Sequence, residues 1–256
     1  MSKQNVPVYR ANIKTAFDTE FFYSNMYPPN TTLNWVDTDI EKNAKYDKKI
    51  EYKFNEYGFR SDSFDDSGDI NILVCGCSMT MGVGVTQEES WPHRLKQKLQ
   101  QQYPHKKVCI WNIATSGASP DYVFRSISKL IYKLNPHYVC VFWPPITRLE
   151  MPYNVDPRYL TQVFLEDSNF PKDFVDTTWL SDYALAKNIV ALDALLYKCK
   201  IKYISNITLG RRCFVFNDYN KNIPKDTNAR DGMHPGPVWH DTVAEIFLNQ
   251  INNYTY

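Results

Sequence analysis

Three short stretches of this sequence carry residue types that suit acyl-transfer chemistry. In the first, an apolar run from Ile70 to Cys75 stops at Gly76, and Ser78, Thr80 and Gly82 follow. A strand that ends this way delivers a small polar side chain to the C-terminal edge of a sheet, where open α/β sheets hold their ligands. In the second, Asp231 and His234 stand three residues apart on a turn just before the last helical pattern. An acid so placed accepts from one imidazole nitrogen and fixes the tautomer, and the other nitrogen is left to take a proton from a serine. In the third, Asn112 to Ser119, Gly117 lets a backbone N–H approach a substrate oxygen closely, as an oxyanion site needs.

Each residue also has a structural reading. Ser78 can cap the turn after its strand, and Asp231 can cap the last helix. Cys77 is a poor alternative nucleophile, because neighbours on a strand end point opposite ways. Gly76, Gly82 and Gly84 lack the spacing of a phosphate loop, so nucleotide binding is not expected. His93, His105 and His137 read as surface or structural residues, and His240 as packing on the last helix.

The elements that must position these residues follow from periodicity. Continuous apolar runs predict strands over 71–75, 107–113, 137–143 and 200–206, with 213–216 a short edge strand or part of a loop. Thr86-Gln-Glu-Glu89 has capping-box spacing, and Trp91, Leu95 and Leu99 mark one helix face ending near Tyr103. Ser119-Pro120 caps a second helix carrying Val123, Ile127, Leu130 and Leu134, which Asn135-Pro136 ends. A third helix carries Leu185, Ile189, Leu192, Leu196 and Cys199, and a fourth starts at Pro237 with Val243, Ile246 and Phe247 inward. Strand and helix alternate, which predicts a three-layer α/β domain. Residues 144–178, rich in proline and aromatics, break the rhythm and are expected to be a long loop forming a lid or substrate wall.

Residues 1–69 read as an N-terminal extension that packs on a main domain of residues 70–256. A short strand is expected over 49–54, followed by a turn at 55–61, and the charged run 37–53 is expected to be a solvated face. The 256 residues suit one large domain, 43% hydrophobic content supports a core, and a net charge of +1 gives no reason to expect nucleic acid as a partner. The six cysteines lack zinc-site spacing and read as free thiols in a reducing compartment. No metal and no cofactor are expected. The N-terminus lacks a signal-type apolar core, and no run approaches the ~18 apolar residues of a membrane span. The expected location is cytoplasmic, with a viral or other particle as the alternative.

The blocks Gly76-Cys-Ser78-Met-Thr80-Met-Gly82, Gly117 and Asp231-Gly-Met-His234-Pro resemble three of the four sequence blocks of the SGNH (GDSL-type) hydrolases, in that family's order, across roughly residues 70–252. The resemblance implies a flavodoxin-like parallel sheet of about five strands and ester hydrolysis through an acyl-enzyme. It makes Ser78 the nucleophile, His234 the general base and then acid, and Asp231 the orienting acid. The N–H groups of Ser78 and Gly117 become oxyanion donors. The chain departs from the family at the remaining block, where Gly-x-Asn-Asp is replaced by Phe142 to Glu150, with no Gly and no Asn. Thr147 or Arg148 then substitutes for the missing asparagine donor, or Arg148 binds an anionic group on the substrate. Alternatively, Arg148 and Glu150 form a surface ion pair.

The expected activity is hydrolysis of small acyl esters, with O-acetyl groups on carbohydrate favoured and no membrane partner. The alternative is a weak or inactive descendant that keeps the fold to bind a glycan or a protein. Oligomeric state is left open.

Overall fold

The computed structural model describes residues 11–12, 29–35, 50–146, 148–153, 156–164, 177–207, 228–232 and 234–254. In chain order the strands are β1 (Ala11–Asn12), β2 (Thr32–Trp35), β3 (Ile50–Lys53), β4 (Ile70–Gly76), β5 (Val108–Asn112), β6 (Tyr138–Trp143), β7 (Arg148–Tyr153), β8 (Asp156–Phe164) and β9 (Lys202–Ile207). The helices are α1 (Ser78–Met81), α2 (Trp91–Gln102), α3 (Pro120–Leu134), α4 (Thr177–Lys198) and α5 (Pro237–Asn252).

The apolar runs form one sheet in the order β5-β4-β6-β9, with every pairing parallel. Its strands are buried on both faces. On one face Leu73, Cys75, Trp111, Val139 and Val141 meet α3 and α4 through Val123, Ile127, Leu185 and Leu192. On the other, Ile72, Val74, Ile110 and Phe142 meet α2 and α5 through Leu95, Trp239, Val243 and Phe247. Trp91 stacks on Phe247 at 4.5 Å between ring centroids and joins α2 to α5. Full burial of each large apolar side chain contributes about 1.5–3 kcal/mol before entropy is charged against it. This is the expected three-layer, flavodoxin-like α/β fold, with four strands in the parallel sheet among the described residues. The chain leaves β4 in one direction to reach β5 and later returns to β4's other side with β6. The sheet therefore has its topological switch point at the C-terminal end of β4, where such folds open a crevice.

Several local expectations hold. Ser119 Oγ accepts the Tyr122 N–H at 3.1 Å with Pro120 at the first helical position, and Asn135 ends α3 in the left-handed region at φ 46°. β3 alternates as expected, with Ile50 and Tyr52 inward, and pairs antiparallel with β2. The Asn55 side chain organises the following turn by accepting the N–H groups of Tyr57 and Phe59. The residues after it belong to the core, because Phe59 and Phe64 pack with the α3 and α4 face.

Other expectations are corrected. Residues 144–178 are not one irregular loop. They contain the β7–β8 hairpin, whose second strand, β8, is the middle strand of a three-stranded sheet and also pairs with β1. Its prolines mislead because Pro152 lies in the edge strand β7, and Pro157 near the start of β8, ahead of the part that pairs with β1, where a residue without a ladder N–H is tolerated. Thr86 and Glu89 do bond, N–H to Oε2 at 2.9 Å, but the turn precedes the helix, and Ser90 is the N-cap of α2. Ile246 is only half-buried, while Trp239, Ala244 and Ile251 share the inward face of α5 with Val243 and Phe247. Residues 213–216 lie outside the described residues. Cys75, Cys77, Cys109 and Cys140 are free and buried, and burial pushes the Cys75 and Cys140 thiols up. No helix among the described residues is long and apolar enough to cross a membrane.

His240 does more than pack. It is fully buried, its Nδ1 accepts the Trp91 N–H at 3.1 Å, and it thereby satisfies one orphan donor at the start of α2. Burial first, then the positive charges of Arg60 and Arg94, push its pKa down to about 3. The unfolded chain, with an ordinary imidazole near 6.5, takes up a proton that the folded protein refuses. Stability from this group is therefore present above about pH 6.5 and is lost as pH falls towards 3. His240→Asn keeps an acceptor for Trp91 and removes the titration. We expect the wild type to lose on the order of 2 kcal/mol more than this variant between pH 7 and 5 in urea denaturation. Equal losses would refute the assignment.

Candidate active site

Ser78 stands at the switch point because β4 ends two residues earlier at Gly76. A Cβ on Gly76 would lie 2.2 Å from Thr80 Oγ1 and 2.6 Å from the Phe142 carbonyl oxygen, so only glycine lets the chain turn this close to β6. Cys77, in extended conformation, caps α1, and Ser78 is its first residue. The Ser78 carbonyl accepts the N–H groups of Gly82 and Val83 at 2.9 and 3.0 Å, which closes a one-turn helix into a compact knot. Ser78 itself is 6% exposed. Among the described residues its N–H has no acceptor, as befits the first turn of a helix. The same holds for the N–H of Gly117, which sits at φ 76° in the loop after β5.

That loop is fastened to the serine turn. Asn112 Nδ2 donates to the Thr80 carbonyl at 3.0 Å, and its Oδ1 accepts the Ala114 N–H at 3.1 Å. Ala114 packs with Met81 and Val83.

The turn has a second brace that the sequence does not advertise. Arg60, buried to 3% exposure, sends Nη1 to the carbonyls of Gly82 at 2.6 Å and Met81 at 3.3 Å, and Nη2 to that of Val85 at 3.0 Å. Its guanidinium carbon lies 4.2 Å from the centroid of the Tyr52 ring. The Tyr52 hydroxyl accepts the Gly84 N–H at 2.8 Å. Burial pushes that hydroxyl's pKa up against the opposing pull of the Gly84 N–H, so the phenol stays neutral. Nothing in Gly58-Phe-Arg60-Ser marks this arginine as buried, since an isolated arginine usually faces water.

Asp231 and His234 lie on a tight loop between Asn228 and Pro235. The Ala229 N–H donates to the His234 carbonyl at 2.7 Å, and the Gly232 N–H to the Ala229 carbonyl at 3.0 Å. The acid grips the histidine with both oxygens: Oδ2 lies 2.5 Å from His234 Nδ1, and Oδ1 accepts the His234 backbone N–H at 3.0 Å. The carboxylate is nearly buried, and the imidazole is about a fifth exposed. An Nδ1 that donates to the acid leaves Nε2 as the other ring nitrogen, free to face a serine.

Two contacts tie this loop down, one to the exit of the serine turn and one to the turn before α2. The Arg230 N–H donates to the Gly84 carbonyl at 3.1 Å. Arg230 also forms a two-pronged ion pair with Glu89, at 2.8 and 3.3 Å. Burial alone would raise the Glu89 carboxyl, but the Arg230 and Thr86 donors outweigh it and hold it below the ordinary carboxylate range. The structure thus pairs Asp231 with His234 and packs their loop against the turn that carries Ser78. No hydrogen bond joins Ser78 to His234 in this structure.

Arg148 opens β7, with Nη1 3.5 Å from the Ala118 carbonyl, beside Gly117. Thr147 lies outside the described residues. The Glu150 side chain, 5% exposed, is bound by both prongs of Arg125, at 2.8 and 2.6 Å. His137 accepts the Asn71 N–H through Nδ1 at 2.9 Å, a structural role. Among the described residues no group of three or more His, Cys, Asp or Glu side chains could hold a metal ion.

No protein-family model and no curated protein matches this sequence. Solved structures do match. One is a lipase from a goat rumen metagenome, 14% identical, with a TM-score of 0.51 over 72% of this chain and 98% of that one. Another is a psychrotrophic esterase from Pseudoalteromonas sp., 18% identical, with a TM-score of 0.46 over 72% of this chain and 100% of that one. A third is an acetyl xylan esterase from Geobacillus stearothermophilus, 13% identical, with a TM-score of 0.39 over 73% of this chain and 97% of that one. The likeness to the rumen lipase establishes a shared fold, the one expected from the resemblance to the SGNH hydrolases.

Gly84 tests the join between the two loops. It sits at φ +80°, and a Cβ there would lie 2.6 Å from Ala229 Cβ and 3.1 Å from the Asp231 carboxyl carbon. Gly84→Ala adds backbone strain to a steric clash, and we expect it to cost on the order of 1–3 kcal/mol. An unchanged urea midpoint would refute this account of how the loops meet.

Proposed function

We propose that this chain is a serine ester hydrolase working through an acyl-enzyme. The observation that carries the reading is the Asp231–His234 pair, held by both carboxylate oxygens on a loop bonded to the turn of Ser78. Ser78 Oγ attacks the ester carbonyl carbon while His234 Nε2 takes its proton. The tetrahedral oxyanion is held by the N–H groups of Ser78 and Gly117, both without another acceptor among the described residues. Collapse breaks the bond to the alcohol oxygen, which leaves with the proton from His234. Water, deprotonated by His234, then releases the acid from Ser78. Asp231 fixes the imidazole tautomer and stabilises the imidazolium throughout.

Arg148 takes the part of the missing asparagine donor at the oxyanion, or instead binds an anionic group on the substrate. Its position beside Ala118 and Gly117 supports this role. The substrates proposed are small acyl esters, with O-acetyl groups on carbohydrate first. The second reading is a catalytically silent module that binds a glycan or a protein. The absent Gly-x-Asn-Asp block favours it, whereas a binding module has no need of a serine, an acid and a histidine in this arrangement.

A fluorophosphonate probe with peptide mapping separates the two. We expect labelling at Ser78, abolished in Ser78→Ala, and a kcat on p-nitrophenyl acetate about 10⁴-fold lower in Asp231→Asn. Acetyl esters should exceed longer acyl esters in kcat/KM by roughly tenfold or more. A wild type that does not label beside a labelled control esterase would favour the binding module.

A further inference from the structure

We infer that Arg60, with Tyr52 behind it, is a positioning residue for the nucleophile: the segment before the sheet holds Ser78 in attacking geometry by capturing the backbone of its turn. The inference rests on the reading of Ser78 as nucleophile and goes beyond it, because the serine, acid and histidine all lie within residues 70–256.

The argument starts from the size of α1. A four-residue helix has one turn of internal bonding and no apolar face long enough to hold it by packing alone. Its exit runs through two left-handed glycines, Gly82 and Gly84, which add conformational freedom four and six residues after Ser78. The carbonyls of Met81, Gly82 and Val85 line this exit and point at one guanidinium. Arginine's planar fork reaches several acceptors in fixed directions, which an ammonium cannot reproduce. Charged donors also make the stronger hydrogen bonds. The ring of Tyr52 lies against the guanidinium, and its hydroxyl takes the Gly84 N–H, so the glycine between the captured carbonyls is held as well.

The same exit carries the contact to the acid–base loop, through the Gly84 carbonyl and the Arg230 N–H. A clamp on 81–85 therefore sets two relations together: the direction of Ser78 at one end and its distance from His234 at the other. Displacement of about 1 Å at a reacting group costs about 100-fold. The guanidinium donates to the main-chain carbonyls of Met81, Gly82 and Val85 and lies against the Tyr52 ring, so it acts through the turn and not on the substrate.

The test uses the full chain with Arg60→Met, Arg60→Lys and Tyr52→Phe. Fluorophosphonate labelling rate and steady-state kinetics on p-nitrophenyl acetate are read alongside the folded fraction from circular dichroism. We expect Arg60→Met to lower the labelling rate and kcat by about 100-fold per folded molecule with KM within about twofold. Arg60→Lys should recover only part of the loss, and Tyr52→Phe should lose less than either. If Arg60→Met fails to fold, the lysine and phenylalanine variants carry the same comparison. Wild-type labelling with unchanged rates in folded variants would overturn this inference alone. Losses that follow the unfolded fraction, or that fall on KM, would do the same. A wild type that does not label at Ser78 would overturn the hydrolase reading and the positioning role with it.

Discussion

The Gly84 carbonyl accepts the Arg230 N–H, and the site depends on the closeness of that meeting. Two chain segments more than 140 residues apart touch backbone to backbone, with the Asp231 carboxyl packed over a residue that has no side chain. Hydrogen bonds of this kind fix distance more narrowly than side-chain packing does, because neither partner has a rotamer to change. The Glu89–Arg230 pair repeats the connection a few ångströms away with charge. Gly76 plays the matching part on the other side of Ser78, where the turn passes the Phe142 carbonyl. The nucleophile turn is confined between two glycine-mediated approaches.

Buried ions at this edge share a function. Arg60, Arg230 and Arg125 each join segments far apart in sequence: the Tyr52 strand to the serine turn, the acid–base loop to the start of α2, and α3 to the β7–β8 hairpin. The ion pairs among them, Arg230–Glu89 and Arg125–Glu150, contribute little net stability against an apolar alternative, since desolvation offsets most of the attraction. Removal of one partner, however, leaves an uncompensated buried charge. They therefore select one register for loops that hydrophobic contact alone would leave sliding.

Much of this was legible in the residues. Strands buried on both faces announce themselves as unbroken apolar runs, and Ser119-Pro120 and Asn135 mark helix ends by their own local chemistry. Ser78, Gly117, Asp231 and His234 stood out because each needs a particular residue type at a strand end or turn. Features that depend on distant partners were not legible. Arg60 looks like any surface arginine until Met81, Gly82 and Val85 surround it. Glu89 was read as the acid of a capping box; its bond to the Thr86 N–H forms in a turn before the helix, and its bond to Arg230 has no local trace. The hairpin at 148–164 was hidden because Pro152 and Pro157 signal a loop, while its pairing runs through the backbone. His240 was read as a packing residue, and its role in satisfying the Trp91 N–H depends on a helix 149 positions away.

Arg60 reads the serine turn through carbonyl oxygens, and every residue has one. Its grip is indifferent to which side chains occupy positions 79, 81, 83 and 85, provided that the path of the main chain is kept. The turn can therefore exchange its apolar side chains through evolution without renegotiating its tether, whereas Gly76, Gly82 and Gly84, where the path itself is at stake, have no such latitude. A region free to vary in its side chains can thus be rigid in space, its path fixed by its glycines and by a single arginine outside it.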